Sequence, residues 1–277
     1  MTAPRLLVSA LATAVLVAGS ICAWYVRDYT HEQRALSKFL DDRGLSDPIV
    51  DPIAAVRDLT AYLSTLPDGE TTRRLRYVNP LYGVLRARPI DVLQHGGFCG
   101  NKSRLLVALL GLRGIPARLS YIYNPAALAT GKADQPYVTA FVEVRVDDRW
   151  IVADPLLGLV FHDGTGRPVT SADLAARPDL VRSQAPAWYT PEVFDYREIR
   201  GIRWAKFPAG ERLQNSLVAV LSPALVNAVR YPLWVQRPNL VVAVLAGAVG
   251  AAALILAAWI HRRYGARSPA GSAPRAG

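Results

Sequence analysis

Two uncharged apolar runs constrain the fold of this chain more than any other feature. Residues 6–26 and residues 240–260 each span 21 positions without a charged side chain. About 20 apolar residues, each rising about 1.5 Å in a helix, cross the hydrocarbon core of a bilayer. Trp259 stands at the end of the second run, where an interfacial aromatic residue belongs. We therefore predict an N-terminal transmembrane anchor over residues 1–26 and a C-terminal transmembrane helix over residues 240–260.

Charge at the C-terminus predicts the orientation of these two helices. The tail over residues 261–277 contains four arginines and no acidic residue, which favours a cytoplasmic location. Two spans then place both termini in the cytoplasm and residues 27–238 outside it. The first run is longer than the apolar core of a signal peptide, so we expect an uncleaved anchor. A third uncharged run, residues 213–229, contains several polar residues and is expected to form an interfacial or core helix.

Composition excludes several classes of protein. Hydrophobic residues make up 51% of the chain and charged residues 19%, which excludes an intrinsically disordered chain. The net charge is +10, but basic residues between the two runs are interleaved with acids, so no nucleic-acid partner is predicted. With two cysteines and no histidine or carboxylate cluster at ligand spacing, we predict no metal and no cofactor. The predicted partner is the lipid bilayer.

The region between the membrane helices reads as a mixed α and β domain. Pro52 opens an amphipathic helix, and a second helix begins near Cys99 and ends before Gly114. Apolar alternation and an Asp-Asp turn predict three strands: residues 117–123, 137–146 and 150–153. The sequence therefore predicts an α+β domain over residues 45–165, followed by a proline- and aromatic-rich extension over residues 166–237.

Cys99 is the residue whose position most suggests chemistry. At the first turn of a helix, the dipole and the free backbone N–H groups stabilise a thiolate. Gly96 and Gly97 let the backbone approach a substrate, and their amides are candidates to bind an oxyanion. Gln94, five residues before the cysteine, is a further candidate donor. The alternative interpretation is that Cys99 is a small buried core residue, as free cysteines usually are.

Two sequence segments carry a resemblance to a known family. Residues 97–102, followed by Gly114-Ile115-Pro116, resemble the nucleophile helix of the transglutaminase-like superfamily. Residues 139–144 and 150–155 resemble the two strands that carry the histidine and aspartate of that family's Cys-His-Asp triad. The resemblance covers residues 45–165. It implies a papain-like α+β fold, with the cysteine helix packed on an antiparallel sheet.

One position departs from the family pattern. Cys99 and Asp154 match the triad, but Thr139 stands where the family has histidine. A threonine hydroxyl cannot act as a general base near neutral pH, and losing a positioned base costs about 10²–10⁴ in rate. His95 and His162 are the candidates to replace it. Glu143, four residues after Thr139, is expected to be a structural carboxylate that pairs with Arg118 or with a neighbouring residue.

Two function hypotheses follow from this departure. In the first, the domain has lost its catalysis and acts as a binding or scaffold module for an envelope peptide or protein. In the second, it is a cysteine acyltransferase or peptidase that acts on envelope peptides through Cys99 and a displaced histidine. An imidazole within hydrogen-bond reach of Cys99 distinguishes the second hypothesis from the first.

Overall fold

The structure, a computed structural model, describes six stretches of the chain: residues 3–45, 51–68, 87–131, 136–201, 210–221 and 238–265. By contacts the chain divides into two units. The first contains Met1–His31 and Asn239–Gly277, and the second contains Glu32–Pro238.

The bounds of the regular elements are as follows. The helices are α1 (Ala3–Asp42), α2 (Pro52–Ser64), α3 (Pro89–His95), α4 (Cys99–Leu112), α5 (Ala126–Ala129), α6 (Ser171–Ala176), α7 (Asp179–Gln184), α8 (Gly210–Val220) and α9 (Pro238–Ile260). The strands are β1 (Ala117–Tyr123), β2 (Tyr137–Val146), β3 (Arg149–Asp154), β4 (Leu159–Val160) and β5 (Ile199–Arg200). A short π-helical turn, His261–Gly265, continues α9.

Two helices are long and apolar enough to cross a membrane: Leu6–Asp42 and Asn239–Arg263. Both predicted runs lie inside them. The first helix continues well past residue 26, because residues 27–42 contain neither proline nor glycine and are rich in helix-forming side chains.

Within the first unit these helices approach each other through small residues. A Cβ added at Gly250 would lie 3.5 Å from the Ala18 Cβ, which is ordinary van der Waals contact. The Asn239 side chain donates a hydrogen bond of 2.8 Å to the Asp28 carboxylate. Close backbone approach and an interhelical polar bond are typical of packed transmembrane helices.

The second unit is built on a five-stranded antiparallel sheet in the order β4-β3-β2-β1-β5. The β2–β3 hairpin turns at Asp147 and Asp148, which both have positive φ, as a tight two-residue turn requires. In its register, Val142 pairs with Ala153. The α+β class and the predicted hairpin are thus confirmed.

Side chains of β2 alternate between two cores. Ala140, Val142 and Val144 pack with α2 and α4 in a first cluster, whereas Phe141 belongs to a second cluster. The cysteine helix therefore packs on the sheet, as expected.

The second cluster lies under the described part of the extension. It contains residues from the sheet and from α6, α7 and the segment after them: Ile122, Phe141, Val152, Phe161, Val169, Leu174, Val181, Tyr189 and Tyr196. The extension also supplies β5, whose Ile199 pairs with Ile122. Residues 202–209 and 222–237 lie outside the described residues, as do residues 69–86 and the end of the tail.

Candidate active site

Cys99 is the first residue of α4, and its side chain is partly exposed. Phe98 caps the helix with extended backbone and accepts the amides of Asn101 and Lys102 through its carbonyl. The amides of Phe98, Cys99 and Gly100 donate to no acceptor in the part of the chain that the structure describes. The thiol thus lies beside free N–H groups at the positive end of a helix.

The two glycines before the cysteine do not provide the predicted oxyanion donors. The Gly96 amide donates to the Val92 carbonyl at 2.7 Å, and the Gly97 amide donates to the Pro67 carbonyl at 2.9 Å. Gly96 has φ +76°, and a Cβ there would lie 2.1 Å from the Pro67 oxygen. The prediction for these two amides is wrong, because the glycines serve a close backbone approach to Pro67 instead.

Lys102, one turn after Cys99, fastens this region to the end of α2. Its side chain is fully buried, yet its Nζ reaches the Asp68 carboxylate at 2.7 Å and the Ser64 carbonyl at 3.3 Å. A buried ammonium group needs such partners, because desolvation without them is costly. Sequence reasoning missed this residue, although a lysine on an otherwise apolar helix face was a signal for it.

Thr139 lies on β2 and is buried, with 3% of its surface exposed. Its hydroxyl has no hydrogen-bond partner among the described residues. The next residue, Ala140, touches the first turns of α4: the Ser103 hydroxyl donates to the Ala140 carbonyl at 3.1 Å, and a Cβ added at Gly100 would lie 3.8 Å from the Ala140 Cβ. Residue 139 is therefore the neighbour in sequence of a residue that contacts the cysteine-bearing helix.

Asp154 ends β3 and is completely buried. Its Oδ1 accepts the amides of Leu156 at 2.9 Å and Leu157 at 3.2 Å, and its Oδ2 accepts the Tyr189 hydroxyl at 3.3 Å. Burial raises the pKa of Asp154 to about 6, against the opposing effect of these hydrogen bonds and of the Lys102 charge. Among the described residues, the partners of this carboxylate are thus two amides and a phenol, and none is an imidazole.

Tyr189 comes from the extension and is itself held in place. It is buried, stacks on Phe194 with ring centroids 3.7 Å apart, and shares a 3.0 Å hydrogen bond with the Tyr196 hydroxyl. Burial raises the pKa of both phenols well above the usual value, with neighbouring Asp154 raising them further. Both hydroxyls therefore stay protonated at neutral pH.

Thr139 and Asp154 lie toward the same side of the sheet. Thr139 pairs with Ile122, which belongs to the second cluster, and Asp154 is bonded to Tyr189 of that cluster. Cys99 packs against the first cluster. The structure thus places residues 139 and 154 on adjacent strands and Cys99 at the start of a helix on the sheet.

The other predicted candidates, Gln94, His95 and His162, are exposed or only partly buried. Gln94 is exposed on α3, and His95 is the last residue of that helix and partly buried. His162 is exposed: its amide donates to the Gln184 side chain at 3.1 Å, and its Nδ1 lies 3.0 Å from the Asp163 carbonyl. Neither contact of His162 involves Cys99 or Asp154.

Glu143 has the structural role that the sequence suggested. Its buried carboxylate accepts the Arg118 guanidinium at 3.0 Å, the Ser120 hydroxyl at 2.7 Å and the Ser171 hydroxyl at 3.0 Å. These bonds join two strands to the start of α6 and satisfy a buried charge. Across the described residues, no group of three or more histidine, cysteine, aspartate or glutamate side chains could hold a metal ion.

Comparison with known proteins assigns the domain that contains these residues. The family model of the transglutaminase-like superfamily matches residues 43–155, a stretch that includes Cys99, Thr139 and Asp154 but stops before Tyr189. No curated protein and no solved structure matches the chain. Residues 43–155, with their cysteine helix on an antiparallel sheet, are therefore a transglutaminase-like domain.

Proposed function

We propose that this chain is a membrane-anchored protein whose transglutaminase-like domain is catalytically impaired and serves as a binding or scaffold module of the cell envelope. The observation that carries the proposal is the hydrogen bonding of Asp154. The carboxylate that would orient an imidazole accepts a tyrosine hydroxyl and two amides instead.

The proposal follows from the proton transfer that a cysteine nucleophile needs. A thiol attacks efficiently only when a nearby base takes its proton or holds its thiolate. The Thr139 hydroxyl cannot do this near neutral pH, and the raised pKa of Tyr189 makes its phenol a donor and not a base. Because neither group can act as the base, we expect attack by the Cys99 thiol to lose the rate enhancement of roughly 10²–10⁴-fold that a positioned base makes.

The features that remain at the site are suited to binding. The N–H groups of residues 98–100, which have no acceptor among the described residues, can donate to a carbonyl or carboxylate oxygen of a partner. Phe98, beside the thiol, exposes 49% of its surface and offers an apolar contact. We therefore propose an envelope peptide or an acidic segment of an envelope protein as the partner.

Acyl transfer to Cys99 tests the impairment. We expect wild-type protein mixed with p-nitrophenyl acetate to release p-nitrophenol no faster than the Cys99→Ala variant, and without a stoichiometric burst. A burst that disappears in Cys99→Ala would show a competent nucleophile and would contradict the proposal. In that case, loss of the burst in His162→Ala or in His95→Ala identifies the displaced base.

The membrane part of the proposal concerns topology. We propose that both termini lie in the cytoplasm and that the domain lies outside, because the tail after α9 carries four arginines and no acid. A reporter fused at Gly277 and one fused after Asp163 should therefore report opposite sides of the membrane. Two fusions that report the same side would show that the proposed topology is wrong.

A further inference from the structure

Helix α8 has an apolar stripe with two exposed members, Leu213 and Val220, and two half-buried members, Leu217 and Leu221. Leu213, Leu217, Val220 and the following Leu221 recur at three- and four-residue steps, so they share about 100° of the helix surface. Leu213 is 52% exposed and Val220 is 82% exposed. Exposed Asn215 lies on the opposite face, and exposed Arg212 and Ser216 border the stripe. An exposed apolar stripe of this kind marks a binding surface.

The sequence around α8 has the composition of a membrane interface. Residues 202–237 contain five basic side chains and one acidic side chain, which complements an anionic bilayer. The same segment contains four aromatic residues, Trp204, Phe207, Tyr231 and Trp234, of which tryptophan and tyrosine are typical of the interface between lipid and water.

The chain also ties α8 to its own membrane helix. Helix α9 begins at Pro238, so 16 residues, 222–237, separate it from Leu221. Even fully extended, that connection reaches no further than about 60 Å. At 11 residues, α8 is itself too short to span a bilayer, which takes about 20 residues.

From the partly exposed stripe, the basic flanks and the 16-residue connection to α9, we infer that α8 lies in the plane of the membrane interface, with Leu213, Leu217 and Val220 inserted among the lipids. This inference rests on the proposed membrane anchoring and does not depend on the state of Cys99. Amphipathic helices of this type bury their apolar face about 5–10 Å into the boundary between headgroups and acyl chains.

The test uses the full chain reconstituted in bilayers of neutral and anionic phosphatidyl lipids. Nitroxide labels are attached to single cysteines at position 213, 215 or 220, in a background with Cys22→Ala and Cys99→Ser. We expect labels at 213 and 220 to be accessible to oxygen, which partitions into lipid, and protected from a water-soluble nickel chelate. The matched label at 215, on the opposite face, should show the reverse.

Two results would overturn the inference. If all three labels are equally accessible to the nickel chelate, α8 lies in water. If the labels at 213 and 220 are protected from both oxygen and nickel, the stripe is covered by protein. Circular dichroism of each labelled protein, compared with the unlabelled background, checks that the fold is retained.

Discussion

We expect iodoacetamide to alkylate Cys99 about tenfold faster in the Thr139→His variant than in the wild type at pH 5.5. At that pH an unassisted thiol is only about 0.1% thiolate. The physical reason is that an imidazolium beside the sulfur holds the thiolate, which moves the reactive range to lower pH. The family resemblance assigns position 139 to the triad base, and Thr139 pairs with Ile122 on the side of the sheet where Asp154 bonds Tyr189. The measurement is the rate of alkylation between pH 5 and pH 9.

Tyr189 provides a second arm of this experiment. Its hydroxyl occupies the Oδ2 atom of Asp154 that an introduced imidazole would use. We therefore expect Thr139→His combined with Tyr189→Phe to react faster than Thr139→His alone, because Asp154 is then free to fix the histidine tautomer.

The matched control for added bulk is Thr139→Gln, which fills a similar volume without supplying a base. It should alkylate at the wild-type rate. If Thr139→His retains its fold and shows no change in rate or pH profile, position 139 is not the place of a catalytic base.

The second large effect concerns Asp154 and stability. Relative to Asp154→Asn, we expect the unfolding free energy of the wild type to fall by about 3 kcal/mol as the pH rises from about 3 to about 8. The pKa of this carboxyl is raised from 3.8 to about 6 in the folded state. Its protonated form therefore stabilises the fold fully below pH 3.8, and that stabilisation is lost as the pH rises through about 6.

Asp154→Asn is a suitable comparison because its amide keeps the shape of the protonated acid and can still accept two backbone amides. Urea unfolding of both proteins, followed by tryptophan fluorescence at several pH values, gives the difference. Asp163 is the control, since its exposed carboxyl has a pKa lowered by hydrogen bonds from Thr165. Stability from Asp163 is present above pH 3.8 and is lost only as the pH falls. A wild type and an Asp154→Asn variant with parallel pH profiles would contradict the account of Asp154.

Local patterns in the sequence predicted most of the domain. The strands at 117–123 and 137–146 begin and end where alternation and turn residues indicated, because both signals act between near neighbours. The helix from Cys99 was bounded by Gly96-Gly97 before it and by Gly114 after it, for the same reason.

The contacts that decide the chemistry of the site were not predictable in this way. Asp154 and Tyr189 are 35 residues apart in the sequence. The ion pair between Lys102 and Asp68 joins the first turn of α4 to the segment that follows α2. Neither contact leaves a periodic trace in the sequence. The backbone bond from Gly97 to Pro67, which removes a predicted oxyanion donor, depends equally on how the chain returns on itself. The motif could therefore locate the site but not the partners of its residues.

The alkylation profile of the unmodified wild type tests the central claim most directly. If the transglutaminase-like domain lacks a base at its cysteine, Cys99 should react slowly near neutral pH, and its rate should keep rising with pH without the low-pH plateau that marks a thiolate paired with an imidazolium. Mass spectrometry assigns the modified cysteine and separates Cys99 from Cys22. A fast reaction near neutral pH that is abolished by His162→Ala or His95→Ala would contradict the claim and show that a displaced histidine serves Cys99.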